Sequence, residues 1–347
     1  MRIQSNTKLD FDDVLLVPQR SSLTSRADVQ VSRVFKFHNS GITREYIPII
    51  VSNMDTTGTF EIAKAVCGEN ILVSLHKYYT EFELSDFFAA NPGLWNNVFI
   101  TVGLDGIDKL NEIIELTNVK SSQAMTTIPL ISLDAANGYT TAFVDSLVKL
   151  RKSFPESVIM AGNVVTGNMV EELLMCGADI VKCGIGCGSP CSTREKAAVG
   201  VPQLSAIDEC AFKAHGLSGY ICADGGIRSP GDASKAIAAG ADFIMCGGMF
   251  AGVDECEGTW IVQEGDGQKK WFRYYGLASE KAQEKYNGGV KDYCAVEGKD
   301  ILVEAKGPAK NVVREILGGI RSCCTYSGAK RIKDLPKCAE FVRVTRV

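Results

Sequence analysis

Val181-Lys-Cys-Gly-Ile-Gly-Cys-Gly-Ser-Pro-Cys191-Ser-Thr-Arg194 runs from an apolar stretch straight into a glycine-rich loop. Asp179-Ile180-Val181 enters it as a strand would. Gly184, Gly186 and Gly188 permit positive φ and close backbone approach to a ligand. Cys191 is a candidate nucleophile, because a local field can turn a thiol into a thiolate. Thr193 can relay a proton, and the charge of Arg194 favours a thiolate. The competing reading is a turn around a buried structural cysteine, the commoner fate of a free thiol. Cys183, Cys187 and Cys191 also raise the question of a metal cluster. Their C-x3-C-x3-C spacing matches no zinc or ferredoxin pattern, and Cys183 lies in the apolar run, where core packing suits it.

That apolar run is one of a series. Residues 47–51, 71–75, 98–102, 130–133, 158–161, 180–183, 220–223 and 243–246 are short, β-rich and continuously apolar. Continuous rather than alternating runs suit parallel strands buried on both faces. Helical patterns lie between several of them, as at 140–151 and 168–176. Gly177-Ala178-Asp179 and Gly240-Ala241-Asp242 each end a helix and begin a strand. Eight strand–helix units predict a closed (β/α)8 barrel over an open doubly wound sheet. Polar or glycine residues follow most runs: Asn53-Met54-Asp55, His76-Lys77, Asp134, Gly162-Asn163, Asp224-Gly225-Gly226 and Gly247-Gly248. In a barrel these gather on the C-terminal face, where active sites are built.

The chain has 347 residues, 46% hydrophobic and 22% charged, enough for a large core. A net charge of −4 gives no case for a nucleic-acid surface. No apolar run approaches the roughly 20 residues of a membrane span. The opening Met1-Arg-Ile-Gln-Ser lacks a signal peptide's apolar segment. Thirteen cysteines without framework spacing read as reduced thiols, so a cytoplasmic location is expected.

Residues 9–28 read as an arm rather than a domain. Residues 253–310 form a long excursion after the eighth run, within what is otherwise a single barrel domain of residues 1–347. Residues 269–275 could pair with 260–262 as a hairpin, and 279–296, with Gly288-Gly289, looks like a mobile flap. Gly307-Pro308 precedes a helix expected over 311–317, and the tail 332–347 is basic.

Several residues admit both a structural and a functional reading. Asp224 could accept both hydroxyls of a ribose, or simply belong to an Asp-Gly turn. Gly247-Gly248 could hold phosphate through backbone N–H groups, or form a tight turn. Asp134 could cap a helix or meet a ligand. His76-Lys77 would ordinarily be a solvated pair, and a lone Glu297 an inert surface carboxylate.

The loop resembles the catalytic loop of the IMP dehydrogenase and GMP reductase family, whose pattern is G-I-G-P-G-S-x-C-T-T-R. Here Cys187 replaces the proline, Pro190 precedes the cysteine, and Ser192 replaces the first threonine. The resemblance covers nearly the whole chain, including Ser25-Arg26 near its start. It implies that Cys191 is the nucleophile and that Thr193 and Glu297 form a proton relay. It implies nucleotide contacts, with GMP or IMP as ligand, from Ser189, Asp224, Gly225, Gly226, Gly247 and Gly248, and from Gly276, Leu277, Ala278 and Gly298. It implies NADPH contacts from Lys77, Tyr78, Asp134, Ala135 and Ala136, from Ile185, Gly186 and Tyr293, and from Ser25, Arg26, Ser322 and Thr325. A monovalent cation, potassium by analogy, is implied at Gly186, Gly188, Cys191 and Arg194, and a homotetramer as the assembly.

Two features favour the reductase branch of that family. Only 22 residues separate Leu75 from Val98, which leaves no room for the dehydrogenases' inserted regulatory module. Val296-Glu-Gly-Lys299 and Gly318-Gly-Ile-Arg-Ser-Cys-Cys-Thr-Tyr326 both resemble the reductases. The expected activity is reductive deamination of GMP to IMP. A dehydrogenase lacking the module and a catalytically impaired nucleotide-binding relative stay open. Tyr78 and Cys294 stand where reductases carry histidine and arginine.

Overall fold

The structure, a computed structural model, describes residues 3–120, 126–263 and 269–345. Among these residues, eight parallel strands close into a barrel. They are β1 (Ile49–Val51), β2 (Leu72–Ser74), β3 (Val98–Val102), β4 (Leu130–Asp134), β5 (Val158–Val164), β6 (Ile180–Cys183), β7 (Tyr220–Asp224) and β8 (Phe243–Cys246). Pairing of Ile244 with Ile49 shuts the ring. Each apolar run is therefore a strand, and an open sheet is excluded. Helices Phe60–Val66, Glu81–Ala90, Ile107–Lys120, Thr141–Ser153, Gly167–Met175, Gln203–Gly216 and Pro230–Ala238 fill the crossovers. The segment between β2 and β3 is the helix Glu81–Ala90 and a short turn.

Alternation along the strands sends Ile50, Leu72, Phe99, Leu130, Met160 and Ile180 into one interior cluster. A hairpin, Arg33–Lys36 against Thr43–Tyr46, seals the N-terminal end. Its Phe35 stacks on Phe243 of β8 with centroids 4.2 Å apart. The open end is thus the C-terminal one, and that end carries the loops with chemistry.

The arm is tied down: Val14–Leu16 pairs antiparallel with Phe341–Arg343, so the basic tail is a strand partner rather than a free end. Its last two residues lie outside the described residues. The helix expected over 311–317 spans Ala309–Ser327. It runs through Gly318-Gly319, and Gly319 packs directly on Pro230, where a Cβ would collide with the ring.

The excursion holds β9 (Trp260–Gln263), β10 (Lys269–Tyr275) and β11 (Asp300–Glu304), with β10 paired to both neighbours. The hairpin is as expected; residues 264–268 at its tip lie outside the described residues, and β11 had no alternating signal strong enough to find. The first half of the expected flap is a helix, Glu280–Asn287. Ser279 caps its start, and Gly288 ends it at φ +73.

Candidate active site

The loop after β6 turns at Gly184 (φ +153) and Gly186 (φ +77), whereas Gly188 adopts no positive φ. Gly184 is needed because a Cβ there would run into the Asp224 carbonyl. The chain then doubles back: the Cys191 amide donates to the Gly188 carbonyl at 3.0 Å, and Thr193–Lys196 follows as one helical turn. The flap strand is zipped onto this loop. Cys191 forms an antiparallel bridge with Gly298, and the Ser192 amide donates to the Glu297 carbonyl at 2.9 Å. The Lys299 amide completes the pair by donating to the Pro190 carbonyl at 2.6 Å.

This backbone register aligns three side chains. Cys191 Sγ lies 3.2 Å from Thr193 Oγ1, and the Thr193 hydroxyl donates to Glu297 Oε2 at 2.6 Å. Thiol, hydroxyl and carboxylate form one hydrogen-bonded chain, the arrangement proton transfer requires. Arg194 takes no part in it. Its guanidinium donates to Asp10 Oδ2 at 2.8 Å and to the Val201 carbonyl at 2.8 Å, so its charge is engaged by the arm. Cys183 is fully buried, and the Cys187 thiol donates to the Asp224 carbonyl at 3.3 Å. Burial pushes the Cys187 thiol pKa well above the ordinary range. Among the described residues, no three His, Cys, Asp or Glu side chains are grouped to hold a metal ion.

A cavity of about 220 Å³ opens over Cys191, Thr193 and Glu297. Ser189, Asp224, Gly225, Gly226, Gly247 and Gly248 line it. So do Gly276, Leu277 and Ala278 from the turn after β10. Gly298 lies just behind, where a Cβ would meet the Ser279 amide at 2.6 Å. The expected nucleotide residues are thus gathered in one place. Tyr274, Met245 and Ile227 also line the cavity and escaped sequence reading, because apolar and aromatic residues near strand ends carry no chemical mark; Ser52 and Met54, just after β1, line it too. A Cβ on Gly247 would stand 2.6 Å from the Tyr274 hydroxyl, so the two residues together set the depth of that corner.

The expected cofactor residues divide. Ala136 lines the cavity, and Ala135 is held by mutual backbone bonds, donating to Gly162 and accepting from Asn163. Ile185 and Gly186 lie in the loop behind Cys191. Asp134 is no helix cap: Thr140 caps the following helix, and Asp134 instead forms an ion pair with the buried Lys182. His76 is no solvated residue either. It is 7% exposed, stacked on Tyr79 at 3.9 Å, and burial lowers its pKa to about 4. Tyr78 lies face to face with Tyr286 of the flap helix at 3.4 Å, and the Lys77 carbonyl accepts from Lys109 Nζ at 3.1 Å. Tyr293 is 81% exposed. Ser25 and Arg26 form a turn on the arm near the long helix that carries Ser322 and Thr325, with Arg321 reaching the Arg26 carbonyl at 3.5 Å. None of these four lines the cavity.

A barrel with a thiol–hydroxyl–carboxylate chain and a glycine-lined cavity on its C-terminal face defines an enzyme-type site. Residues 115–347 match the IMP dehydrogenase / GMP reductase domain, and the chain belongs to that family. It is 50% identical to a GMP reductase of Caenorhabditis elegans, covering 99% of this chain and 94% of that protein. It is 48% identical to human GMP reductase 2, covering 99% and 96%. A GMP reductase of Phytophthora infestans is 47% identical, covering 99% and 93%. Among the described residues, no helix is long and apolar enough to cross a membrane.

Proposed function

We propose that the chain converts GMP to IMP and ammonia, using NADPH as reductant. The observation that carries this reading is the hydrogen-bonded chain Cys191–Thr193–Glu297 inside a cavity lined by paired glycines. Glu297, reached through Thr193, accepts the thiol proton, and the Cys191 sulfur forms a bond to carbon 2 of the guanine ring. The same relay returns that proton to the departing amine, the C–N bond breaks, and ammonia leaves. Purine and cysteine are then joined as a thioimidate. NADPH, when bound, would supply a hydride at carbon 2; the Cys191 sulfur would then leave with the electron pair of its bond to that carbon, releasing IMP.

The residues present fit both bound groups. Ala136 borders the cavity with no side chain beyond its Cβ, and the stacked Tyr78–Tyr286 pair offers a flat aromatic flank. These, with Lys77, would hold the cofactor. Carbonyls of Gly186, Gly188 and Cys191 are hard oxygen donors suited to a monovalent cation such as potassium. The Gly188 oxygen keeps a second lone pair beside its bond to the Cys191 amide. Arg194 could contribute only its carbonyl, since a guanidinium is itself a cation and has no acceptor to offer. A homotetramer in the cytoplasm belongs to the same reading, on family resemblance alone; light scattering that gave a monomer would refute the assembly.

The decisive assay mixes purified protein, GMP and NADPH and follows NADPH absorbance together with ammonia. Loss of one with release of the other is expected. Steady XMP formation from IMP with NAD⁺ would replace this reading with the dehydrogenase one.

A further inference from the structure

Lys182 lies in the middle of an apolar strand and is fully buried. It occupies the inward-facing position two residues after Ile180, so its stem rises through the barrel interior toward the open end. Gly162, its register partner on β5, makes room: a Cβ there would stand 2.6 Å from the lysine's own Cβ. At the top, Nζ forms an ion pair with Asp134 Oδ1 at the end of β4 and lies 4.0 Å from Asp224 Oδ2 at the end of β7. Asn163 Nδ2 holds the same Asp224 oxygen at 2.8 Å.

From this geometry we infer that Lys182 is a positioning residue, a single buried ammonium that fixes the nucleotide-side carboxylate Asp224 and the cofactor-side carboxylate Asp134 at once. The inference rests on the nucleotide reading of the cavity. Asp224 lines that cavity and Asp134 does not, so the lysine joins two walls of the site through charge rather than by touching substrate. Isolated charges are not tolerated in such surroundings; they are paired or neutralised.

The neighbouring groups are consistent with one cation serving two anions. Burial works against the charge on Lys182, but Asp134 and then Asp224 outweigh it and raise its pKa. Burial pushes Asp134 up, yet Lys182, with help from Lys77 and an Asn53 hydrogen bond, holds it below the usual range. Burial dominates at Asp224 and raises it, opposed by Lys182 and Asn163 and reinforced by Asp134. The thiols of Cys187, Cys222 and Cys246 and the phenol of Tyr274 also feel Asp224, and their own pKa values are raised, so they stay neutral. Lys182 is thus the cation that opposes protonation of Asp224, alongside the Asn163 hydrogen bond.

The test is calorimetric binding of GMP, without NADPH, across pH for wild type, Lys182→Met and Asp134→Asn. Lys182→Met should weaken GMP binding about tenfold or more at neutral pH, and its acid limb should move to higher pH, because Asp224 then takes up a proton more readily. Asp134→Asn removes the competitor for the ammonium, so its acid limb should move the opposite way. Using one ligand throughout cancels the titration of GMP itself. Unchanged affinity in Lys182→Met, or shifts in the same direction in both variants, would overturn the inference. Should Lys182→Met fail to fold, Asp134→Asn alone decides, and an unmoved acid limb overturns it. Wild type that binds no GMP would remove the nucleotide reading itself, a different failure.

Discussion

Thr193 Oγ1 donates to Glu297 Oε2 at 2.6 Å although the two stand 104 positions apart in the chain. Residues 297–299 lie across the loop after β6 in fixed register, with Cys191 opposite Gly298, and that register delivers the carboxylate. Glu297→Gln keeps the shape and removes the base. Ammonia release should fall by roughly 10²–10⁴-fold, the usual loss for a general acid–base group. The reverse hydride step, run with IMP and NADP⁺, should suffer much less. Single-turnover kinetics of each half-reaction separates these, and equal slowing of both would sink the relay assignment.

Cys191→Ala should abolish turnover yet leave GMP binding within about threefold, since a nucleophile contributes to bond formation more than to ground-state binding. Cys183→Ala and Cys187→Ala should stay active, the first because it only packs the core, the second because its thiol meets a backbone carbonyl. Kinetics beside calorimetry checks all three. Near-normal turnover by Cys191→Ala would remove it from the chemistry.

One buried oxygen joins the flap helix to the end of β10. Asp55 Oδ2 accepts from Tyr275 at 2.6 Å, Tyr286 at 2.9 Å and Lys285 at 3.2 Å, and the carboxylate is buried. Hydrogen bonds to a charged group contribute about 1.5–3 kcal/mol. Asp55→Ala should therefore speed amide exchange across residues 280–287 by about 10- to 100-fold. Exchange at wild-type rates there would show that the helix is held by something else.

His76 carries a linkage signature. Its Nδ1 accepts from the Tyr78 amide at 3.2 Å, so the ring is buried neutral, with a pKa of about 4 against an ordinary 6.5. Below pH 6.5 the unfolded chain binds a proton that the folded chain refuses. Stability should then fall as pH drops from 6.5 to about 4, by on the order of 3 kcal/mol, and be unaffected by this group above 6.5. His76→Asn, which keeps an acceptor, should show a flatter decline in Tm over that window. Parallel curves for the two proteins would refute it.

Much of the architecture is written locally. A parallel strand buried on both faces must be apolar throughout, and eight such runs, each followed by glycine or polar residues, already imply a closed barrel with its chemistry at one end. The loop from Val181 to Arg194 shows its turns and its thiol for the same reason: bends and nucleophiles are properties of short stretches. The continuation of the last long helix through Gly318-Gly319 was not legible, because Gly319 answers to a close approach by Pro230, far away in the chain, where a Cβ would not fit.

What the sequence by itself determined is the strand rhythm, the glycine turns and the candidate thiol with its hydroxyl two residues on. It left Glu297 one glutamate among many until a family resemblance singled it out, and it left Lys182 unmarked inside an apolar run. Tertiary structure decided that Arg194 answers to Asp10, that Asp134 answers to Lys182, and that Glu297 faces Thr193. The reason is physical. Periodicity and turn chemistry act over a few residues, whereas partners of charged and proton-bearing groups are chosen by barrel closure and by the register of the flap strand on the loop, and these join residues from the whole length of the chain.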